Sequence, residues 1–141
     1  DGIPGACKEI IFKASQRTKW PVTLVANRYQ QVPRFTWIQS VVVAGGLDVA
    51  DDYIAEHCQA GDLVITSDIP LAARVIENGA TVLRFRGEAL TATNIAQRLQ
   101  ARDFMDDLRG SGVNTGGPPP FGPKDKQSFA NGLDRWLSRV G

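Results

Sequence analysis

Gly61-Asp62-Leu63-Val64-Ile65-Thr66-Ser67-Asp68 is the stretch that decides the fold, because it joins a turn, a buried strand and a carboxylate. Leu63 to Thr66 shows no polar alternation, which is typical of a strand covered on both faces in a parallel sheet. Such strands present functional groups at their carboxyl ends, where the next loop opens into a crevice. Asp68 stands at that end, so we expect it to belong to any active site of this chain.

Strands and helices alternate on both sides of this stretch. Strand character is found at residues 21–26, 38–43, 63–66 and 81–83, and helical character at residues 5–17, 48–57 and 71–76. Alternating elements with short connections predict an α/β domain with a mostly parallel central sheet.

The pattern changes after residue 90. A helix towards Leu108 is followed by a Gly- and Pro-rich loop at 110–120 and by a last helix. That helix carries one apolar stripe, formed by Phe129, Leu133, Trp136, Leu137 and Val140. We therefore predict a single domain over residues 1–141, with a core at about 1–90 and a C-terminal helical extension at about 91–141.

Composition excludes several classes of protein. The 141 residues carry sixteen basic and fifteen acidic side chains, so any surface for nucleic acid must be local. A single histidine, His57, argues against a multi-histidine zinc site and against most catalytic triads. Two cysteines are too few for a disulfide framework and fit a reducing compartment. No signal peptide and no apolar run of about 20 residues is present, so we expect a cytoplasmic protein without a membrane partner.

Acidic residues form the best candidate site. Asp1 precedes the first helix, Asp48 and Asp51 begin the middle helix, and Asp68 ends the central strand. In a parallel sheet these positions would meet at the carboxyl edge. Mg²⁺ and Mn²⁺ prefer such hard oxygen ligands, and they typically take few carboxylates together with waters and substrate phosphates. A metal bound there could activate water and stabilise phosphoryl charge.

Each of these acids also has a structural explanation. Asp48 suits the N-cap position of a helix, and Asp68 could cap the helix that follows Pro70. Asp51 lies in a first helical turn, where negative charge suits the helix dipole. Clustered acids also occur in structural networks, so spacing alone leaves both explanations open.

Four residues are candidates for contact with a substrate. Asn27 ends a strand at the presumed active edge, and Ser67 precedes Asp68. Arg86 lies just beyond a strand end, and Arg102 lies on the later helix. Arginine offers paired donors that match phosphate, although a solvated face paired with neighbouring acids is the simpler explanation for Arg102.

Several motifs together resemble one bacterial family. They are Leu-Val-Ala-Asn (24–27), Gly-Leu-Asp-Val-Ala-Asp-Asp-Tyr-Ile (46–54), Gly-Asp-Leu-Val-Ile-Thr-Ser-Asp-Ile-Pro-Leu-Ala (61–72), Arg-Asp-Phe-Met-Asp-Asp-Leu-Arg (102–109) and Thr-Gly-Gly-Pro (115–118). This combination resembles the YaiI/YqxD family of uncharacterised proteins over nearly the whole chain. That family is similar to PIN-domain nucleases, whose strand ending in Thr-x-Asp matches Thr66-Ser67-Asp68.

The resemblance implies a three-layer PIN-like fold and a divalent-metal-dependent phosphodiesterase directed at RNA. Asp1, Asp51 and Asp68 match the acids of PIN-like enzymes and would hold Mg²⁺ or Mn²⁺. Asp48 matches the alternative spacing of a sister nuclease group. The resemblance therefore assigns catalysis to Asp48, Asp51 and Asp68, by inheritance from the superfamily.

The amino terminus departs from the family pattern. The family begins with a strand followed by Asp-Ala-Asp-Ala-Cys-Pro, whereas this sequence opens with Asp1-Gly2-Ile3-Pro4. We expect the first strand, the first acid and that Cys to be missing here, which would leave apolar neighbours in the sheet uncovered. Two other functions stay open: a non-catalytic nucleic-acid or protein interaction domain, and a small-molecule phosphohydrolase that uses the same acids.

Overall fold

The computed structural model describes residues 3–46, 48–110 and 120–140, with the backbone alone for 105–110 and 140. Its elements, in chain order, are α1 (Gly5–Thr18), β1 (Val22–Ala26), β2 (Ile38–Val42), α2 (Val49–His57), β3 (Leu63–Ile65), α3 (Ile69–Glu77), β4 (Thr81–Leu83), β5 (Ala89–Leu90), α4 (Ile95–Gly110) and α5 (Pro123–Val140). The α/β class is confirmed. None of the described helices is both long enough and apolar enough to cross a membrane.

The strands form two small sheets, which corrects the prediction of one mostly parallel sheet. β1 and β2 pair in parallel, from Val22 opposite Ile38 to Ala26 opposite Val42. β3 and β4 also pair in parallel, and β5 joins β4 in the antiparallel direction. β5 has only two residues, so it leaves no periodic pattern in the sequence.

A cavity of about 590 Å³ lies between the two sheets. Residues 22–25 of β1 and residues 63–66, from β3 and the residue after it, contribute to its lining. Among the described residues, β1 pairs only with β2 and β3 only with β4, so each strand keeps one unpaired edge. Adjacent strands must lie within about 4.9 Å to pair, and residues of these two unpaired strands line the cavity instead.

Helices cover both faces of the sheet formed by β3, β4 and β5. Val64 packs into one apolar cluster with Val75 of α3, whereas Leu63 and Ile65 pack against a second cluster that includes Phe129 of α5. This alternation places the sheet between two helical layers. The prediction that the central strand is covered on both faces is confirmed.

The C-terminal extension packs as its apolar stripe predicts. Phe129, Leu133 and Leu137 of α5 are buried, and Trp136 is half-buried against Trp20, with the ring centroids 5.4 Å apart. The Gly- and Pro-rich loop and the motif at 115–118 fall mostly or wholly outside the described residues, as does Asp1.

Candidate carboxylate site

Asp48, Asp51 and Asp68 lie at the starts of two helices, α2 and α3, which follow the carboxyl ends of β2 and β3. Asp48 follows β2, and Asp51 lies in the first turn of α2, which packs against α3. Asp68 precedes α3 at the end of the chain segment that continues β3. Partial burial raises the pKa of Asp51, and the negative charges of Asp68 and Asp48 raise that pKa further. The structure thus brings two of the predicted acids, Asp48 and Asp68, within electrostatic reach of a third, Asp51.

Asp48 occupies the N-cap position of α2 without capping it. Its backbone is left-handed, with φ of +65°, and its side chain makes no capping hydrogen bond. An N-cap residue normally has an extended backbone, from which its side chain reaches the next turn. The cap explanation for the Asp48 side chain is therefore not supported, and this exposed carboxylate has no part in holding the helix end.

Asp68 does cap its helix. Its Oδ1 accepts a hydrogen bond from the backbone N–H of Leu71 at 3.0 Å. Its own backbone N–H donates to Oγ1 of Thr66 at 3.1 Å. Sequence reasoning missed this contribution of Thr66, although a threonine two residues before an aspartate is a known turn signal. The two contacts fix the position of Asp68, and its exposed side chain remains beside Asp51.

The acids are neighbours, but they do not form a preformed metal cage. Among the described ranges, no three His, Cys, Asp or Glu side chains are grouped closely enough to hold a metal ion. Repulsion between carboxylates reaches further than a shared ligand sphere, over a Debye length of about 8 Å at physiological salt. The raised pKa of Asp51 is therefore compatible with the lack of a tight cluster of carboxylates among the described residues.

The predicted substrate residues occupy different settings. Asn27 is exposed where β1 ends, at the same edge as the end of β2 because the two strands are parallel. Oγ of Ser67 accepts a hydrogen bond from the backbone N–H of Phe85 at 3.3 Å, which joins the segments after β3 and β4. Arg102 lies on α4, with its guanidinium 3.8 Å from the carboxylate of Asp103. Of these three residues, Asn27 is the one that lies at the carboxyl end of a strand and does not join other segments of the fold.

Arg86 is engaged by the C-terminal helix. Its guanidinium donates to Oδ2 of Asp125 at 2.8 Å, and it lies 5.9 Å from the centroid of the Phe121 ring. The same Asp125 oxygen accepts from the backbone N–H of Gly122 at 3.0 Å. These contacts fasten the start of α5 to the loop after β4, so Arg86 has a structural partner whatever else it binds.

The cavity between the sheets reaches this site, because Asp51 contributes to its lining. Lys8, Tyr53 and His57 line it as well, and the rings of Tyr53 and His57 stack at 3.9 Å.

Burial raises the pKa of Cys7 to about 11, so its thiol stays protonated at neutral pH and is a poor nucleophile.

The fold and the site define an α/β domain with carboxylates gathered where parallel strands end. The chain belongs to the family described as "Uncharacterized BCR, YaiI/YqxD family", which matches residues 1–139. The family resemblance predicted from the motifs is therefore confirmed.

Curated relatives match almost the whole chain. A UPF0178 protein of Shewanella sp. (strain MR-7) is 55% identical over 140 residues, which are 99% of this chain and 92% of the relative. A UPF0178 protein of Xanthomonas campestris pv. campestris (strain 8004) is 52% identical over 139 residues, which are 99% of this chain and 87% of the relative. No solved structure matches the chain significantly.

Proposed function

We propose that this chain is a PIN-like, divalent-metal-dependent phosphodiesterase that acts on RNA. The observation that supports the proposal is that Asp48, at the start of α2, and Asp68, at the start of α3, both lie within electrostatic reach of Asp51. Carboxylates gathered in this way resist full ionisation unless a cation neutralises them. The two helix N-termini add positive potential that favours an anionic substrate at the same place.

The residues fit Mg²⁺ or Mn²⁺ of the kind held by few carboxylates and completed by water. Asp51 and Asp68 would hold the ion, and Asp1, outside the described residues, is the predicted third ligand. The side chain of Asp48 is not used by its helix and is free to support the ion. When bound, the ion would supply a Lewis acid that activates water and neutralises phosphoryl charge.

The protein groups themselves have separate tasks. Leu71 and Thr66 hold Asp68 in place through its side chain and its backbone N–H. Asp48 would order the attacking water and accept its proton, and Asn27 would contact the substrate at the same edge. Arg86 and Arg102 are the predicted phosphate contacts, and each would use donors beyond the one that faces Asp125 or Asp103.

Cleavage of labelled RNA in Mn²⁺ tests the proposal. We expect product from the wild-type chain and none from Asp51→Asn or Asp68→Asn, because each change removes one charge at nearly constant volume. Asp52→Asn is the matched control, since Asp52 lies next to Asp51 but pairs with Arg74 at 2.7 Å. Activity that survives Asp68→Asn would overturn the mechanism.

A second candidate is a non-catalytic domain that binds nucleic acid. It is favoured by the lack of a three-ligand cluster among the described residues. This candidate predicts that the labelled RNA stays uncleaved in Mn²⁺. It also predicts that wild type and Asp51→Asn bind RNA with equal affinity in a separate binding measurement.

A further inference from the structure

One segment of the chain concentrates basic charge. Residues 10–47 contain Lys13, Arg17, Lys19, Arg28 and Arg34, and they contain no Asp or Glu. Lys13 and Arg17 form ion pairs with acids on α1 and α5. Arg28 and Arg34 lie on the connection between β1 and β2, residues 27–37, which we call the β1–β2 loop.

The β1–β2 loop exposes these charges beside aromatic rings. Arg28 and Arg34 are exposed, and neither forms a salt bridge within the described part of the chain. Tyr29 is 72% exposed, and Phe35 is 38% exposed with its ring 4.9 Å from that of Trp37. Unpaired cations next to accessible aromatic faces are the components of a surface for single-stranded nucleic acid.

The path of the loop leads to the carboxylates. Because β1 and β2 are parallel, the loop leaves the carboxyl end of β1 and must return to the amino end of β2. Its return is fixed by the carbonyl of Trp37, which accepts from the N–H of Val22 at 2.9 Å. The loop therefore runs the length of β1, about 16 Å for five residues. Arg28 and Tyr29, near the start of the loop, follow the carboxyl end of β1. That end lies beside the carboxyl end of β2, the strand that Asp48 follows.

The middle of the loop is anchored to α1. Nζ of Lys8 donates to Oε1 of Gln30 at 3.2 Å. This side-chain contact links α1 to the residue next to Tyr29.

We propose that the β1–β2 loop binds single-stranded RNA, with Arg28 and Arg34 on phosphates and Tyr29 stacked on a base. This inference deepens the proposed function and rests on it, since it names the part of the chain that guides RNA to the carboxylates. A duplex keeps its bases stacked inside, so it offers Tyr29 no base face. An acidic peptide would use the arginines but would leave the ring without a partner.

Fluorescence anisotropy with a labelled uridine-rich RNA of about 12 nucleotides tests the proposal. EDTA is present throughout, so binding is measured without metal and without cleavage. We expect wild-type binding that weakens as salt rises, and Tyr29→Ala weakened by roughly 5- to 150-fold through the lost stacking. Arg28→Ala should reduce the slope of log K against log salt by about one.

Two controls match these variants in chemistry but lie elsewhere. Phe104→Ala removes an aromatic ring that is 62% exposed on α4, and Arg135→Ala removes an exposed arginine on α5. Both should bind RNA as wild type does. The proposal is overturned by absent RNA binding, by loop variants that bind as tightly as the wild type, or by a duplex that binds as tightly as the single strand. Loop-dependent binding without cleavage in Mn²⁺ would overturn the proposed activity and leave the RNA surface standing.

Discussion

The backbone of Asp48 adopts a conformation that is unfavourable for most residues. A left-handed backbone costs most residues with a Cβ atom about 1–2 kcal/mol, and Asp tolerates it better than most. The missing capping hydrogen bond shows that the side chain of Asp48 does not hold the start of α2.

Asp48→Gly should therefore separate stability from function. Glycine adopts φ of +65° freely, so the free energy of unfolding should rise by up to about 1 kcal/mol, while Mn²⁺ binding weakens. Asp48→Ala is the matched control, since it removes the same charge and keeps the strain. Denaturant unfolding in EDTA measures the difference. A glycine variant less stable than the alanine variant would contradict the strain.

Asp51 predicts how stability depends on pH. Its pKa is raised in the folded state, so ionisation of Asp51 opposes folding. The chain should lose stability as pH rises from about 3.9, where the unfolded group ionises, up to the raised folded pKa. Asp51→Asn should be more stable than wild type at pH 7 in EDTA and show no such advantage below pH of about 3.5. Equal stabilities of wild type and Asp51→Asn at both pH values would contradict a raised pKa of Asp51.

Asp68 combines a structural and a chemical task, and two substitutions separate them. Asn is as good an N-cap as Asp, so Asp68→Asn should keep the hydrogen bond from Leu71 and leave thermal stability nearly unchanged. Asp68→Ala should lose about 1 kcal/mol. Both should lose Mn²⁺ binding, as measured by calorimetry. Full metal binding by Asp68→Asn would show that Asp68 is only a cap.

At the residue scale, local features were predictable and distant partners were not. The position of Asp68 follows from the strand and the Pro70 that surround it in sequence. The salt bridge of Arg86 joins residues 39 positions apart on different elements, and no local pattern announces it. The left-handed conformation of Asp48 was not predictable either, because an Asp at a helix start usually has the extended backbone of an ordinary N-cap.

At the element scale, α5 is held by a close approach at Gly87. The φ of Gly87 is +95°, and a Cβ added there would lie 2.4 Å from the carbonyl oxygen of Ser128 on α5. Gly87→Ala should therefore shift α5 and lower the free energy of unfolding by more than about 1 kcal/mol. Gly5→Ala is the control, since a Cβ there meets nothing within 4 Å. Equal denaturation midpoints for the two variants would contradict this packing.

Elements with a clear hydrophobic pattern were predictable. The stripe of α5 and the apolar run of β3 each reveal their buried faces in a few residues. The pairing of strands depends on contacts between distant segments, so neither the short β5 nor the division into two sheets could be derived from local pattern. The α/β class follows the expectation, while the three-layer PIN-like fold remains part of the proposal.

At the scale of the whole molecule, the cavity between the sheets should accept an apolar probe. Its volume of about 590 Å³ is in the range of small-molecule sites, and Trp20 and Trp136 contribute to its lining. The dye ANS should fluoresce in the native chain and receive energy from tryptophan. Leu24→Phe, which places a larger side chain on the β1 side of the cavity without adding a tryptophan donor, should reduce that signal. Native protein that leaves ANS dark would contradict an accessible cavity.

Whole-chain composition conceals the charge distribution on which the proposed RNA surface rests. The net charge of +1 suggests no particular partner, yet residues 10–47 hold five cations and no acid. Counting charge by segment would have indicated a basic stretch from sequence alone, although only Arg28 and Arg34 of its five cations lie in the β1–β2 loop. Its exposed rings and unpaired arginines required the structure.

Calorimetric titration with Mn²⁺ tests the central claim, that the gathered carboxylates share one divalent ion. The account predicts saturable binding at one site, weakened at least about tenfold by Asp51→Asn and unchanged by Asp52→Asn. Absence of saturable binding to the wild-type chain, or equal affinity for wild type and Asp51→Asn, would contradict it.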